Sequence, residues 1–258
     1  HSNAILSLVN LDNSKEILNK IYKDKIAIVP YVMPGFELAK LCHMVISKNH
    51  KVEGLILLNH GIFTFGSSAK QSYDRMIKLV TLAENFLNKQ KKLIKYNINN
   101  KKINITDVQL CIRNLYHSFT NKKWIIKFNN KVEDVKFTNR KDLFNLFNKG
   151  PVTPDHVIRI KSEPLIIPNK HLSSSKMISN HINAYIKKNK NYFKKYKKNI
   201  TNSKIADPLP RIIILEGIGF LSIGLNKKEM QVSYDIFDAM KKVIIKANLV
   251  SKFKSINN

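Results

Sequence analysis

Cysteine is scarce in this chain, arginine and the acidic residues are few, and no apolar run is long. Two cysteines stand among 258 residues, Cys42 and Cys111. Both sit in apolar surroundings without Cys-x-x-Cys spacing, which excludes a disulfide framework and a cysteine-built zinc site and fits a reducing cytoplasm. Nothing approaches the roughly 18 uninterrupted apolar residues of a membrane-spanning helix. Residues 1–25 show no basic start followed by an apolar stretch and a small-residue cleavage site, so the expectation is a soluble, unexported protein with no membrane partner. Acidic residues number 18 against 45 basic ones, a net charge of +27. That balance alone would point to a polyanion. Yet only five of the bases are arginines, Arg75, Arg113, Arg140, Arg159 and Arg211, whereas base and phosphate recognition leans on the arginine fork. Lysine, asparagine and isoleucine are inflated together, as A-rich codons would make them. The charge is therefore read as background, with no nucleic acid partner expected.

What is present is enough apolar material, 43% of residues, to fill one large core or two small ones. The chain opens with His1-Ser2-Asn3-Ala4-Ile5-Leu6, which enters a helical apolar pattern at once and reads as the inside of a domain, that is, a fragment. A buried strand is expected over 25–31, stopped by Pro34-Gly35 and followed by an amphipathic helix over 36–46. Next come a strand over 54–58, the turn Asn59-His60-Gly61 and a strand over 62–65. A helix follows, opened by the capping-box pair Ser68 and Gln71, with Tyr73, Ile77, Val80, Ala83 and Leu87 on the face expected to cover the hairpin. A lysine- and asparagine-rich surface connection over 88–104 places a boundary near residue 95.

The block over 96–149 reads as a helix over 107–119, a hairpin pairing 124–128 with 132–137 through Asn129-Asn130, and a short helix over 141–147. Gly150-Pro151 closes it. The block over 150–258 opens with Thr153-Pro154, a turn or helix-start signal. It carries a lysine-rich helix over 182–198 and ends in a unit beyond Pro210 that repeats an earlier one. At a constant offset of 158, residues 55–66 fall on 213–224, putting Gly61 on Gly219 and Gly66 on Gly224, while Ser68 and Gln71 fall on Asn226 and Glu229. Both segments spell strand, glycine turn, strand, glycine, capped helix, as an internal duplication would. On that reading 212–215 and 220–223 form an antiparallel hairpin turned by Gly217 and Gly219. The helix face of Met230, Tyr234, Phe237, Met240, Ile244 and Ala247 then covers it.

His60 is the residue with chemistry to offer. A tight strand-to-strand turn beside a glycine leaves an imidazole projecting at the end of a sheet, a good position for a metal ligand, although one histidine also suits a plain polar turn. The segments "HSNAIL", "IAIVPYVMPGFELAKL" and "LILLNHGIFTFGSSAKQSYDRMIKLVTLAENFL", in this order and at these separations, resemble the C-terminal half of the class II aldolase/adducin domain over about residues 1–90. The resemblance is to the branch in which that domain precedes a short-chain dehydrogenase, described as bifunctional rhamnulose-1-phosphate aldolase/alcohol dehydrogenase. "GPVTPDHVIRIK" and "DPLPRIIILEGIGFLSIG" resemble the middle of such proteins.

The resemblance implies an α/β fold, three-layer αβα with a mostly antiparallel sheet, over 1–95. A second, smaller α+β domain follows, read as a degenerate repeat of the first. It also implies a Zn²⁺ site in which His60 matches the histidine of the family's Asn-His-Gly turn and His1 the second of a His-x-His pair. The partner of His1 and the acid/base and phosphate-binding groups then fall upstream of this chain. A zinc ion held by imidazoles keeps its charge and open positions, which suits it to grip a ketose carbonyl and hydroxyl and to stabilise the enediolate left by carbon–carbon cleavage. The implied substrate is a phosphorylated ketose, split into dihydroxyacetone phosphate and an aldehyde, in a cytoplasmic homo-oligomer. Tyr31 would lie near the metal end of the sheet. The alternative is a non-catalytic, adducin-like assembly or binding module.

Other candidates are weaker. Glu216-Gly217-Ile218-Gly219 follows a strand as a dinucleotide loop does, but a second strand rather than a helix comes next, so a hairpin is expected. Ile218 stands where His60 does in the first copy, which denies that unit a zinc ligand. His156 reads as a capping or solvated histidine. Lysines 187–198 interleaved with Tyr192, Phe193 and Tyr196 read as a solvated helix face rather than an RNA-binding surface.

Overall fold

The architecture follows from the alternation of short β-branched runs with amphipathic stretches. In a computed structural model, which describes residues 1–97, 102–197 and 207–256, the chain divides into two compact units. One comprises 1–93, 149–155 and 238–258, the other 94–148 and 156–237. No described helix is long and apolar enough to cross a membrane.

The first unit contains helices α1 (Asn3–Val9) and α2 (Ser14–Tyr22), strand β1 (Ile26–Val29), helix α3 (Phe36–Lys48), strands β2 (Gly54–Leu57) and β3 (Gly61–Thr64), and helix α4 (Ala69–Asn88). Its sheet runs β1-β2-β3, with β1 and β2 parallel and β2 and β3 antiparallel. The parallel pair exists because α3 carries the chain back across the sheet, which a short turn could not do. Val29, Leu38, Leu55 and Leu57 form the apolar cluster between α3 and the strands. Ser68 caps α4 by accepting from Gln71 N, while Gln71 Oε1 accepts from Ser67 N at 2.7 Å. The face that α4 buries differs from the expected one. Leu79, Ala83 and Leu87 are buried, but Tyr73 and Ile77 are 66% and 50% exposed. The helix is rotated so that Leu79 meets the sheet, where a Cβ on Gly54 of β2 would stand 3.2 Å from Leu79 Cδ1. Helical spacing alone admits both faces.

The second unit contains α5 (Ile105–Thr120), β4 (Ile125–Asn129), α6 (Val132–Thr138), α7 (Leu143–Phe147), α8 (Pro154–Ile160), β5 (Leu165–Ile167), α9 (Ser175–Lys197), β6 (Ile212–Leu215), β7 (Gly219–Gly224) and α10 (Lys227–Val250). Two of these elements cross the boundary between the units: α8 begins, and α10 ends, in residues of the first. The sheet order is β4-β7-β6-β5. β4 and β6 both run antiparallel to β7, and β5 runs parallel to β6. Each sheet is thus mixed, and the mostly antiparallel arrangement expected for the first is absent there because of the β1–α3–β2 crossover.

The expected hairpin of 124–128 with 132–137 does not form. Residues 132–138 are helix α6, with Glu133 and Asp134 in its first turn, where acidic groups suit the helix dipole, and β4 pairs with β7 instead. Alternation of apolar residues in a short segment does not separate a strand from a helix, and the strand partner 91 residues further on decides. The hairpin expected at 212–215 and 220–223 does form, in the register Ile212↔Ser222 to Leu215↔Gly219. Of the α10 face expected to cover it, Phe237 meets Phe220 at 4.9 Å between centroids and Met230 Sδ accepts from Ser222 Oγ at 3.5 Å, whereas Met240, Ile244 and Ala247 are buried in residues of the first unit. Tyr234 stacks on Phe220 at 5.9 Å between centroids. Lys198, the last residue expected in the lysine-rich helix, and part of the 88–104 connection lie outside the described residues.

Candidate functional site

The turn between β2 and β3 is built from the backbone outward. Leu58 N donates to Val29 O at 3.0 Å and His60 N to Leu57 O at 3.2 Å, which folds the chain back on itself. Asn59 takes the left-handed conformation, φ 56°, tolerable for asparagine and costly for most other side chains. It is held there from the outside: its N donates to Val9 O at 3.3 Å and its Nδ2 to Asn10 Oδ1 at 2.8 Å. Asn10 is fully buried. Its own Nδ2 donates to Leu6 O at 2.9 Å, and its carbonyl accepts from Lys254 N at 2.8 Å. The C-terminal end of α1 is therefore bolted to the turn, and α1 starts two residues after His1.

The consequence is that His1 and His60 meet. Their rings stack with centroids 5.2 Å apart and planes 29° from parallel. Gly61 has φ 155°, which disfavours a side chain, although a Cβ there would only touch His1, 3.4 Å from its N and 3.6 Å from its Cδ2. A cavity of about 160 Å³ opens at this point, lined by His1, Leu57, His60, Gly61, Ile62 and Phe63. It has two imidazoles on an otherwise apolar wall and opens to solvent past His1 and Phe63, which is 52% exposed.

Two imidazoles on one tetrahedral zinc ion, with metal–nitrogen bonds of about 2.0–2.1 Å, hold their ring centroids about 5 Å apart. The observed pair fits that spacing, and as a donor set it suits a borderline ion such as Zn²⁺. Among the described residues no group of three His, Cys, Asp or Glu is gathered to hold an ion, so His1 and His60 would be two ligands of a larger set. Tyr31 is not on the cavity wall. Its hydroxyl lies 4.0 Å from Met33 Sδ, and burial pushes its pKa up. Cys42 packs beside the Val29 and Leu38 cluster, and burial likewise raises its thiol. Asn10, which orients the turn, went unread in the sequence. Its only signal there is an asparagine at the end of an apolar helix, a common and unspecific capping pattern.

The second unit has a turn of the same build. Gly217 is left-handed, φ 73°, and Gly219 has φ 143°. Ile218 N donates to Leu215 O at 3.0 Å, Glu216 N to Ile167 O at 3.1 Å and Gly217 N to Thr138 O at 2.9 Å. An isoleucine occupies the histidine position and packs against the apolar cluster of that unit. Glu216-Gly217-Ile218-Gly219 is thus a hairpin turn, not a phosphate loop. His156 lies half-buried in α8.

Two family models match the chain. Residues 1–87 match the Class II Aldolase and Adducin N-terminal domain, and residues 104–258 match the second domain of class II aldolase. A curated relative, the uncharacterized oxidoreductase YuxG of Bacillus subtilis (strain 168), is 24% identical over the whole chain, which spans 39% of that protein's length. A solved structure, the N-terminal class II aldolase domain of a conserved protein from Thermoplasma acidophilum, is 39% identical over 34% of this chain and 39% of that one, with a TM-score of 0.30. With more than half of its residues matched to one of these models and most of the rest to the other, the chain belongs to the class II aldolase/adducin domain family.

Proposed function

We propose that this chain carries part of the metal site of a zinc-dependent sugar-phosphate aldolase, one that splits a rhamnulose-1-phosphate-like ketose into dihydroxyacetone phosphate and an aldehyde. The observation that carries the reading is the stacked pair of His1 and His60 at the Asn-His-Gly turn, 5.2 Å between centroids. His1 and His60 would hold the ion, and its chemistry there would be that of a Lewis acid polarising a substrate oxygen. The remaining groups belong to this chain's architecture. Asn10 fixes Asn59, and Asn59 sets the angle of His60. Leu57 and Ile62 give the cavity its apolar wall. The acid/base group and the third ligand would come from outside these 258 residues. The oxidoreductase name of a relative more than twice as long supports the branch in which the aldolase domain is joined to a dehydrogenase. Cytoplasmic residence and self-association go with this reading. Met33, Phe36 and Met44, which are 68%, 73% and 52% exposed, give the outer face of α3 and the loop before it the apolar surface a second copy would cover.

We also infer that the sheet of the second unit is a degenerate copy of the first. The support is the matched hydrogen bonds and φ signs of the two turns, together with the equivalent caps of α4 and α10. Asn226 Oδ1 accepts from Glu229 N at 2.9 Å and Glu229 Oε2 from Leu225 N at 3.0 Å, as Ser68 and Gln71 do.

The test uses the uninterrupted protein. Zinc content is measured by elemental analysis and triose phosphate release from rhamnulose-1-phosphate by a coupled assay, in wild type and His60→Ala. Loss of both in the variant is expected. A folded wild type that binds zinc yet cleaves no phosphoketose would favour an adducin-like assembly module. Cleavage retained without metal would overturn the mechanism.

A further inference from the structure

A second pair of imidazoles lies in the second unit, between the single helical turn at Asn169–His171 and α9. The turn follows β5 through Pro168 and is fixed by its backbone, with His171 N donating to Pro168 O at 2.9 Å and Leu172 N to Asn169 O at 3.1 Å. Glu216 pins it from the other side: one carboxylate oxygen accepts from Asn169 N at 3.0 Å and the other from Asn97 Nδ2 at 3.2 Å. His181 projects from a helix anchored by Ile178, Ile182 and Tyr185, all buried in the apolar cluster of that unit. Both histidines are half-buried. Their rings have centroids 5.1 Å apart and planes at 37°, and Nδ1 of His171 stands 2.9 Å from Nε2 of His181.

Two nitrogens each about 2.0–2.1 Å from one ion and about 90° apart lie about 2.9 Å from each other, the spacing of neighbouring ligands in square-planar or octahedral geometry. A bare pair would gain one N–H···N hydrogen bond for two desolvated rings, whereas a shared cation uses both lone pairs. We propose that His171 Nδ1 and His181 Nε2 are adjacent ligands of a divalent transition-metal site, with water in the remaining positions and Ni²⁺, Cu²⁺ or Zn²⁺ as the ion. Imidazole suits all three, and Cu²⁺ binds tightest by the usual order. No third His, Cys, Asp or Glu joins the pair among the described residues. The site is therefore open and its ion exchangeable, unlike a closed structural centre.

The experiment is calorimetric titration of the tag-free protein with Ni²⁺ and with Zn²⁺, in wild type, His171→Asn, His181→Gln and His60→Ala. Besides any zinc held at the aldolase site, which His60→Ala removes, one further equivalent is expected that survives in His60→Ala and is weakened more than about tenfold in the other two, since disturbing even a residue behind a ligand costs 10–100-fold. In parallel, ¹⁵N imidazole spectra of the wild type with Zn²⁺ are expected to shift the resonances of both histidines together, a readout that holds even where a variant fails to fold. An unchanged equivalent in folded His181→Gln, or Zn²⁺ binding in wild type that leaves these two resonances in place, would overturn the assignment. So would removal of that equivalent by His60→Ala, which would place it at the aldolase site instead.

Discussion

Asn10→Ala tests whether the turn bearing His60 is held from α1. The side chain is fully buried and makes two hydrogen bonds, from Asn59 Nδ2 at 2.8 Å and to Leu6 O at 2.9 Å. Truncation leaves the Leu6 carbonyl and the Asn59 amide to find other partners in a dry environment, at about 1–3 kcal/mol for a buried group left unsatisfied. It also removes the outside support of a left-handed residue, a conformation costing about 1–3 kcal/mol that persists only where the surroundings over-determine it. The two costs overlap, and a net loss of about 2–3 kcal/mol is expected, a fall in Tm of roughly 4–12 °C for a chain of this size. The control is Asn49→Ala. Its Nδ2 donates to Val45 O at 2.8 Å with similar geometry but on an exposed surface, so a change within about 0.5 kcal/mol is expected. Urea and thermal unfolding followed by circular dichroism read both. If His1 and His60 hold an ion as proposed, the same substitution should weaken its binding by about 10–100-fold. An Asn10→Ala protein as stable as Asn49→Ala would refute the bolted-turn argument.

Gly219→Ala should cost more than Gly61→Ala. Both have positive φ, but a Cβ at Gly219 would meet Asn129 O at 2.3 Å, whereas at Gly61 the nearest atom is His1 N at 3.4 Å. About 3 kcal/mol or more against about 1–2 kcal/mol is expected by chemical denaturation, and equal losses would remove the clash from the explanation. Burial raises the pKa of Asp207, but the Arg211 guanidinium that pairs with it more than offsets this, and the net pKa is lowered. Its contribution to stability is therefore present above the unfolded carboxylate value of about 3.9 and lost as pH falls through the lower folded one. Asp207→Asn should flatten the acid limb of the stability–pH curve there, and an unaltered limb would contradict the pairing. Tyr116→Phe removes the buried hydroxyl that donates to Pro210 O at 2.6 Å and leaves that carbonyl without it. A loss of about 1–3 kcal/mol is expected, and an unchanged midpoint would show the carbonyl satisfied otherwise.

Local chemistry determined much of this protein by itself. The glycines at 61, 66, 219 and 224, the caps Ser68 and Asn226, and the uninterrupted apolar runs at 55–57 and 212–215 specify strand, turn, strand and capped helix within a few residues of one another. The interactions that enforce them are equally local. The histidine in the first turn was legible for the same reason, because a tight turn beside a glycine must project its side chain. Only the tertiary structure decided matters that depend on partners far along the chain. It made 132–138 a helix by giving β4 the distant strand β7, turned α4 so that Tyr73 and Ile77 face outward, and made β1 and β2 parallel through α3. It also brought Asn10 under Asn59 and His171 beside His181, pairs that no spacing in the sequence marks. Amphipathic periodicity tells a segment that it has a face to bury, but not which of two neighbouring faces or against what. That choice belongs to packing, where the gain from one well-matched contact surface outweighs the small differences in local propensity that a sequence displays.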